Sequence, residues 1–176
     1  MRFIPTELAG AFVIELELRH DQRGFFARTF CENEFAKQGL VSRFVQCNIA
    51  WNKEAGTLRG MHYQEPPHAE AKVVRCTRGA LYDVIVDLRP GSPTRGKWVA
   101  VELTPINGLM LYVPEGFAHG YQSLEPDTEV SYLMGAFPER DAERGIRWDD
   151  PALGIRWPLP SPILSDRDRS HPGFKL

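Results

Sequence analysis

Apolar and charged residues alternate through Phe12-Val13-Ile14-Glu15-Leu16-Glu17-Leu18-Arg19. That period of two predicts a half-buried β-strand. Leu81-Tyr82-Asp83-Val84-Ile85-Val86-Asp87-Leu88 repeats the pattern, with Tyr82, Val84, Val86 and Leu88 on one face and Asp83, Ile85 and Asp87 on the other. Further strands are expected at Lys72–Cys76, Trp98–Leu103, Leu109–Val113 and Glu129–Met134. Between them, Arg78-Gly79, Pro90-Gly91-Ser92-Pro93 and Pro114-Glu115-Gly116 read as turns. One short helix is expected at Glu32–Gln38, stopped by Gly39. After about Pro138 the periodicity fades into a tail rich in Arg, Asp and Pro, which reads as an irregular C-terminal wrap. Many short strands with turn residues between them predict an all-β fold, an antiparallel sandwich or jelly roll with few short helices, in a single domain over residues 1–176.

Composition narrows the classes. The 15 glycines and 14 prolines are scattered as punctuation, which fits strands and turns better than long helices. A formal net charge of −2 argues against a nucleic-acid-coating protein. No apolar run approaches the ~18 residues of a membrane span, and Glu15 and Glu17 interrupt the N-terminal apolar stretch, so neither a membrane helix nor a signal peptide is expected. Cys31, Cys47 and Cys76 are odd in number and lack metal-type spacing. Free thiols in a reducing cytoplasm are the expected state.

Candidate chemistry concentrates in Gly56-Thr57-Leu58-Arg59-Gly60-Met61-His62-Tyr63-Gln64. Read as a strand, it turns Leu58, Gly60, His62 and Gln64 one way and Arg59, Met61 and Tyr63 the other. A lone histidine there is most simply a hydrogen-bonded core residue. A second histidine changes the weighting, because Pro114-Glu115-Gly116-Phe117-Ala118-His119 fits P-x-G-x-x-H, the second half of the cupin signature. Two readings then stand. In one, His62, Glu70 and His119 form a two-His, one-carboxylate iron site of an oxygenase. Gln64 in the usual second-histidine slot counts against it, since an amide is a poor ligand. In the other, His62 is a proton-transfer base, with Lys72 and Arg59 stabilising an enolate or holding phosphates. Arg23 sits at a turn, as a surface arginine or a phosphate clamp. Tyr132 shares a strand face with Val130 and Met134 and points inward, as a structural hydroxyl or an acid. Asp168 is either a solvated charge or the partner of the far nitrogen of His62.

The strings Leu58-Arg59-Gly60-Met61-His62-Tyr63-Gln64, Pro114-Glu115-Gly116-Phe117-Ala118-His119-Gly120 and Arg147-Trp148-Asp149-Asp150-Pro151 together make the chain resemble the dTDP-4-dehydrorhamnose 3,5-epimerase family. The likeness extends over nearly the whole chain, through Asp21–Phe30, Gln46-Cys47-Asn48, Lys72, Gly79–Arg89, Tyr132 and Ser165–Asp168. It implies a cupin-type jelly roll without metal or cofactor, a homodimer, and a nucleoside-diphosphate 4-keto-6-deoxy sugar as substrate. It further implies His62 as the base, Asp168 as its dyad partner, Lys72 as enolate stabiliser and Tyr132 as the acid on the opposite face. Arg59, Gln46, Asn48 and His119 match substrate and diphosphate contacts. Arg23 and Phe26 match positions that reach the nucleotide, partly across the dimer. Two positions depart from the family pattern. Arg28 replaces a glutamate near the nucleotide base, which points to another nucleotide such as CDP. Pro138 falls where many members carry a tyrosine, which points to inversion at C3 alone. The two departures also leave open a nucleotide-sugar-binding cupin without catalysis.

Overall fold

The computed structural model describes residues 1–175. Thirteen strands and two short helices are present among them. In chain order they are β1 (Arg2–Pro5), β2 (Phe12–Glu15), β3 (Arg19–Asp21), β4 (Gly24–Phe26), α1 (Glu32–Lys37), β5 (Gln46–Asn52), β6 (Leu58–Gln64) and β7 (Lys72–Arg78). Then follow β8 (Leu81–Asp87), β9 (Trp98–Leu103), β10 (Leu109–Val113), β11 (Phe117–Ser123), β12 (Thr128–Met134), β13 (Glu143–Gly145) and α2 (Asp166–Arg169). One sheet runs β1-β2-β10-β7-β12-β5 and the other β13-β6-β11-β8-β9. Every ladder is antiparallel. β3 and β4 form a separate hairpin. This is the expected all-β jelly roll.

The two sheets close on each other because both present apolar residues inward. Val74, Cys76, Leu111 and Val130 from the six-stranded sheet meet Leu81, Ile85, Phe117 and Tyr121 from the five-stranded one. Each fully buried Val, Leu, Ile or Phe of this layer contributes about 1.5–3 kcal/mol. The outer face of the six-stranded sheet is covered too. Ile14, Val73 and Met110 pack there against Phe35 of α1, with Phe30 and Phe44 around it. On the other outer face, Met61, Val84 and Val86 lie beneath Ile146, Leu153 and Trp157 of the C-terminal wrap.

Several sequence expectations need correction. β8 is not half-buried: its two faces divide as predicted, but the C-terminal wrap covers the Tyr82–Val84–Val86 face, while Asp83 and Asp87 share the face of Ile85 toward the other sheet, where both are fully buried. β2 ends at Glu15 rather than continuing to Arg19. Its ladder partner begins at Leu109, opposite Glu15, so the pairing runs out there. The tail is largely irregular, as expected, but it adds β13 to the edge of the five-stranded sheet and contains α2, capped by Ser165 Oγ on the Asp168 amide. α1 stops at Lys37, with Gly39 at φ +71 just beyond.

The correction that matters most lies in β6. His119 pairs with His62 and Tyr121 with Arg59, so β6 advances three residues while β11 advances two. The extra residue is a β-bulge, which reverses the alternation within the strand. Arg59 and His62 therefore share a face instead of opposing each other. Glycine makes the bulge possible. Gly60 has φ +137, and a Cβ on it would lie 2.5 Å from Gly120 Cα.

Candidate active site

The bulge delivers Arg59 and His62 into one cavity of about 300 Å³, lined also by Asn48, Lys72, His119, Tyr121, Tyr132 and Met134. Register explains the company. Across β5, β12 and β7, Asn48, Tyr132 and Val74 stand in one row, and Gln46, Met134 and Lys72 in the next. Residues directly opposite in a ladder project to the same face, so Gln46 shares the face of Met134 and Lys72. His62 enters from the five-stranded sheet, and Tyr132 and Lys72 from the six-stranded one. The histidine and the tyrosine thus occupy opposite walls. A neighbouring cavity of about 220 Å³ shares His62 and Lys72 and is bordered by Glu70, Pro138, Arg144 and Arg167. A larger cavity, about 960 Å³, is lined by Pro172–Lys175 and lacks His62, Lys72, Tyr132 and His119. Chemistry, not volume, selects the site.

His62 Nε2 meets Asp168 Oδ1 at 2.6 Å. The imidazole is 41% exposed, while the carboxylate beneath it is 6% exposed. Burial pushes the Asp168 carboxyl up, but the hydrogen bond and charge of His62, with His171 nearby, outweigh it and hold the group below the usual carboxylate range. An ionised Asp168 keeps the ring proton on Nε2 and leaves the Nδ1 lone pair free. The two residues are 106 positions apart in sequence, and α2 carries Asp168 back to β6.

On the facing wall, Lys72 is buried and paired with Glu70. Tyr132 packs against His119 and Tyr121, with ring centroids 6.3 and 6.5 Å away. Burial, together with Tyr121 and the Asp83 charge, pushes the Tyr132 hydroxyl well above the ordinary tyrosine range, so it stays protonated. His119 Nε2 meets Asp83 Oδ1 at 2.6 Å. Asp83 is fully buried, and burial pushes its carboxyl up against the opposing pull of His119 and Lys72. Asn52 Oδ1 accepts from Arg59 Nε at 2.9 Å and from the Tyr121 hydroxyl at 3.1 Å, which fixes both.

The cavity therefore gathers His62, Lys72, Tyr132, Asn48, Arg59 and His119, with Asp168 behind His62. Arg23, Phe26 and Arg28 lie outside it. Arg23 is held by Asp21 in the β3–β4 turn, Phe26 is 68% exposed on the hairpin, and Arg28 pairs with Glu34 at 2.7 Å. The iron-site reading does not survive the geometry, because Glu70 is turned to Lys72 and His119 to Asp83. Sequence reasoning passed over Asn52, Asp83, Tyr121 and His171. Tyr121 was within reach, two residues beyond His119 on one strand and therefore on its face. Asp83, Asn52 and His171 gave no signal, since their roles depend on contacts between distant strands or with the wrap.

A sequence model of the family described as dTDP-4-dehydrorhamnose 3,5-epimerase matches residues 5–175. A dTDP-4-dehydrorhamnose 3,5-epimerase of Sinorhizobium fredii is 49% identical over 175 residues, covering 99% of this chain and 90% of that one. Among solved structures, the dTDP-4-dehydrorhamnose 3,5-epimerase of Elizabethkingia anophelis superposes with a TM-score of 0.96 at 39% identity, over 99% and 96% of the two chains. The Bacillus anthracis enzyme, solved with TDP and pyrophosphate bound, gives 0.95 at 42% identity, over 98% and 99%.

Proposed function

The chain belongs to the dTDP-4-dehydrorhamnose 3,5-epimerase family, and from that premise we propose that it inverts C3 and C5 of a dTDP-linked 4-keto-6-deoxyhexose. The observation that carries the proposal is the pair of opposed walls: a carboxylate-backed histidine on one sheet and a protonated tyrosine with a lysine on the other. A C–H bond next to a ketone loses its proton once the resulting enolate is stabilised. His62 Nδ1 takes that proton while the bonding pair moves toward the C4 oxygen. Lys72 is the cation within reach of the developing oxyanion. Tyr132 then donates its hydroxyl proton to the carbon from the opposite face, which inverts the centre. His62 returns its proton to solvent, to which it is open, and Tyr132 is reprotonated from solvent. Arg59, Asn48, Gln46 and His119 orient the sugar diphosphate.

The nucleotide end is where Arg23, Phe26 and Arg28 act. The hairpin carrying Arg23 and Phe26 does not line its own cavity. Phe25 and Phe26 on it, with Ile49 and Trp51 on edge strand β5, are exposed. This supports a homodimer in which the hairpin of one protomer serves the cavity of the other. The three free cysteines fit a reducing cytoplasm, and among the described residues no helix is long and apolar enough to cross a membrane.

Proton NMR in deuterium oxide tests the assignment, with the dTDP and CDP forms of the 4-keto-6-deoxy sugar offered in parallel. Deuterium entering C3 and C5 of the dTDP form is expected, and His62→Ala should slow it at least about a hundredfold. Exchange at C3 alone would overturn the two-centre reading. Preference for the CDP form would overturn the nucleotide.

A further inference from the structure

His171 follows α2 in the wrap, and no step of the epimerisation uses it. Its side chain is 10% exposed and packs edge-on to the His62 ring, with centroids 5.5 Å apart. Its Nε2 is buried and without a hydrogen bond among the described residues, 3.5 Å from Asp168 Oδ1. That is the same oxygen held by His62 Nε2. Gly145 provides the room. It pairs with His62 across β13 and β6, and a Cβ on it would lie 2.4 Å from the His171 ring. The fold thus sets a second imidazole beside the dyad, with one nitrogen unused.

One ligand atom from each of His62, Asp168 and His171 falls within 4.8 Å of the others, the one such group among the described residues. Two imidazoles and a carboxylate are the donors that zinc and similar borderline ions take. In a tetrahedral zinc site such atoms stand roughly 3–3.5 Å apart, so modest rotation of the half-exposed His62 ring closes the set. The local charge suits a cation. Arg167 is paired with Glu143 at 2.7 Å and Lys72 with Glu70, which leaves the Asp168 carboxylate as the unbalanced charge.

We propose that His62, Asp168 and His171 form a site for a divalent zinc-type ion, and that occupancy shuts the enzyme off. An ion on His62 Nε2 takes the place of the ring's single proton, which moves to Nδ1, so the lone pair that removes the substrate proton is gone. The inhibition rests on the epimerase reading above; the binding does not, so the two are measured separately.

Binding is read by titrating the metal-free chain with zinc chloride in a calorimeter, with no sugar nucleotide present. One strong site per chain is expected, with His171→Asn binding at least about tenfold more weakly. Long-range proton–nitrogen NMR of the unsubstituted chain needs no variant: zinc should move the imidazole nitrogens of both His62 and His171 and leave those of His119 in place. Equal affinity in the variant, or a shift confined to His62, would overturn the site. Function is read by deuterium exchange. Zinc should abolish it, a chelator should restore it, and His171→Asn, measured against its own metal-free rate, should need at least about ten times more zinc for inhibition. Zinc binding at His62 and His171 without loss of exchange would keep the site and overturn its inhibitory role.

Discussion

Asp168→Asn isolates what the dyad does from what it holds together. The substitution keeps the shape and leaves α2 capped, because Ser165 Oγ accepts from the backbone amide of residue 168 rather than from its side chain. Two things change. The charge that stabilises a protonated His62 is lost, and an amide can donate to Nε2, which favours the tautomer with its proton on Nδ1, the nitrogen needed as the base. The first can be sized from the geometry. Unit charges about 4 Å apart near a protein surface attract by about 4 kcal/mol. With His62 41% exposed, solvent takes roughly half of that, leaving about 2 kcal/mol, or about thirtyfold in rate. The tautomer change adds about another tenfold. The expected loss in deuterium exchange is therefore about 10²–10³-fold, with thermal stability nearly unchanged. Exchange within about threefold of the unsubstituted rate, in a variant that melts normally, would refute the assignment of Asp168 to the catalytic dyad.

Tyr132→Phe separates the two halves of the reaction. Deuterium exchange by His62 should persist while formation of inverted product falls by about 10²-fold or more. Because burial holds the Tyr132 hydroxyl above its ordinary range, its ionisation should cause no loss of product formation up to pH ~10. Asp87 reports on the scaffold. It is fully buried and accepts from Arg89 Nη2 at 2.7 Å, Ser92 Oγ at 2.6 Å and Thr94 Oγ1 at 2.7 Å. Burial alone would push its carboxyl up; these donors outweigh it and hold the group far below the usual carboxylate range. The unfolded chain therefore binds that proton more readily, so the stabilisation is complete above pH ~4 and is lost as the pH falls further. Asp87→Asn should cost about 2–3 kcal/mol at neutral pH. It should also flatten the acid limb of the stability curve, as followed by thermal melts from pH 7 to 3.

Local pattern carried the fold further than it carried the site. Alternation and turn residues located β7 through β10 and β12 to within a residue or two at most ends, because a strand buried on one or both faces has to show that periodicity itself. Strands whose residues mostly face solvent or a polar cavity, such as β5 with Asn48, Ile49 and Trp51 exposed, left no such trace. The site was legible as a set of residue types and as motif strings, but not as geometry. Strict alternation put Arg59 behind His62. One inserted residue at Gly60 reverses that, and nothing short of the pairing with β11 reveals it. The dyad depends on a contact spanning 106 positions, made by a four-residue helix in a tail without periodicity. His171 depends on less still: a missing side chain at Gly145 on a neighbouring strand leaves the space that its ring occupies. Such features arise where a backbone or a ring approaches the chain more closely than a Cβ allows. They are visible in a sequence only as glycines, whose purpose is fixed by what stands on the other side.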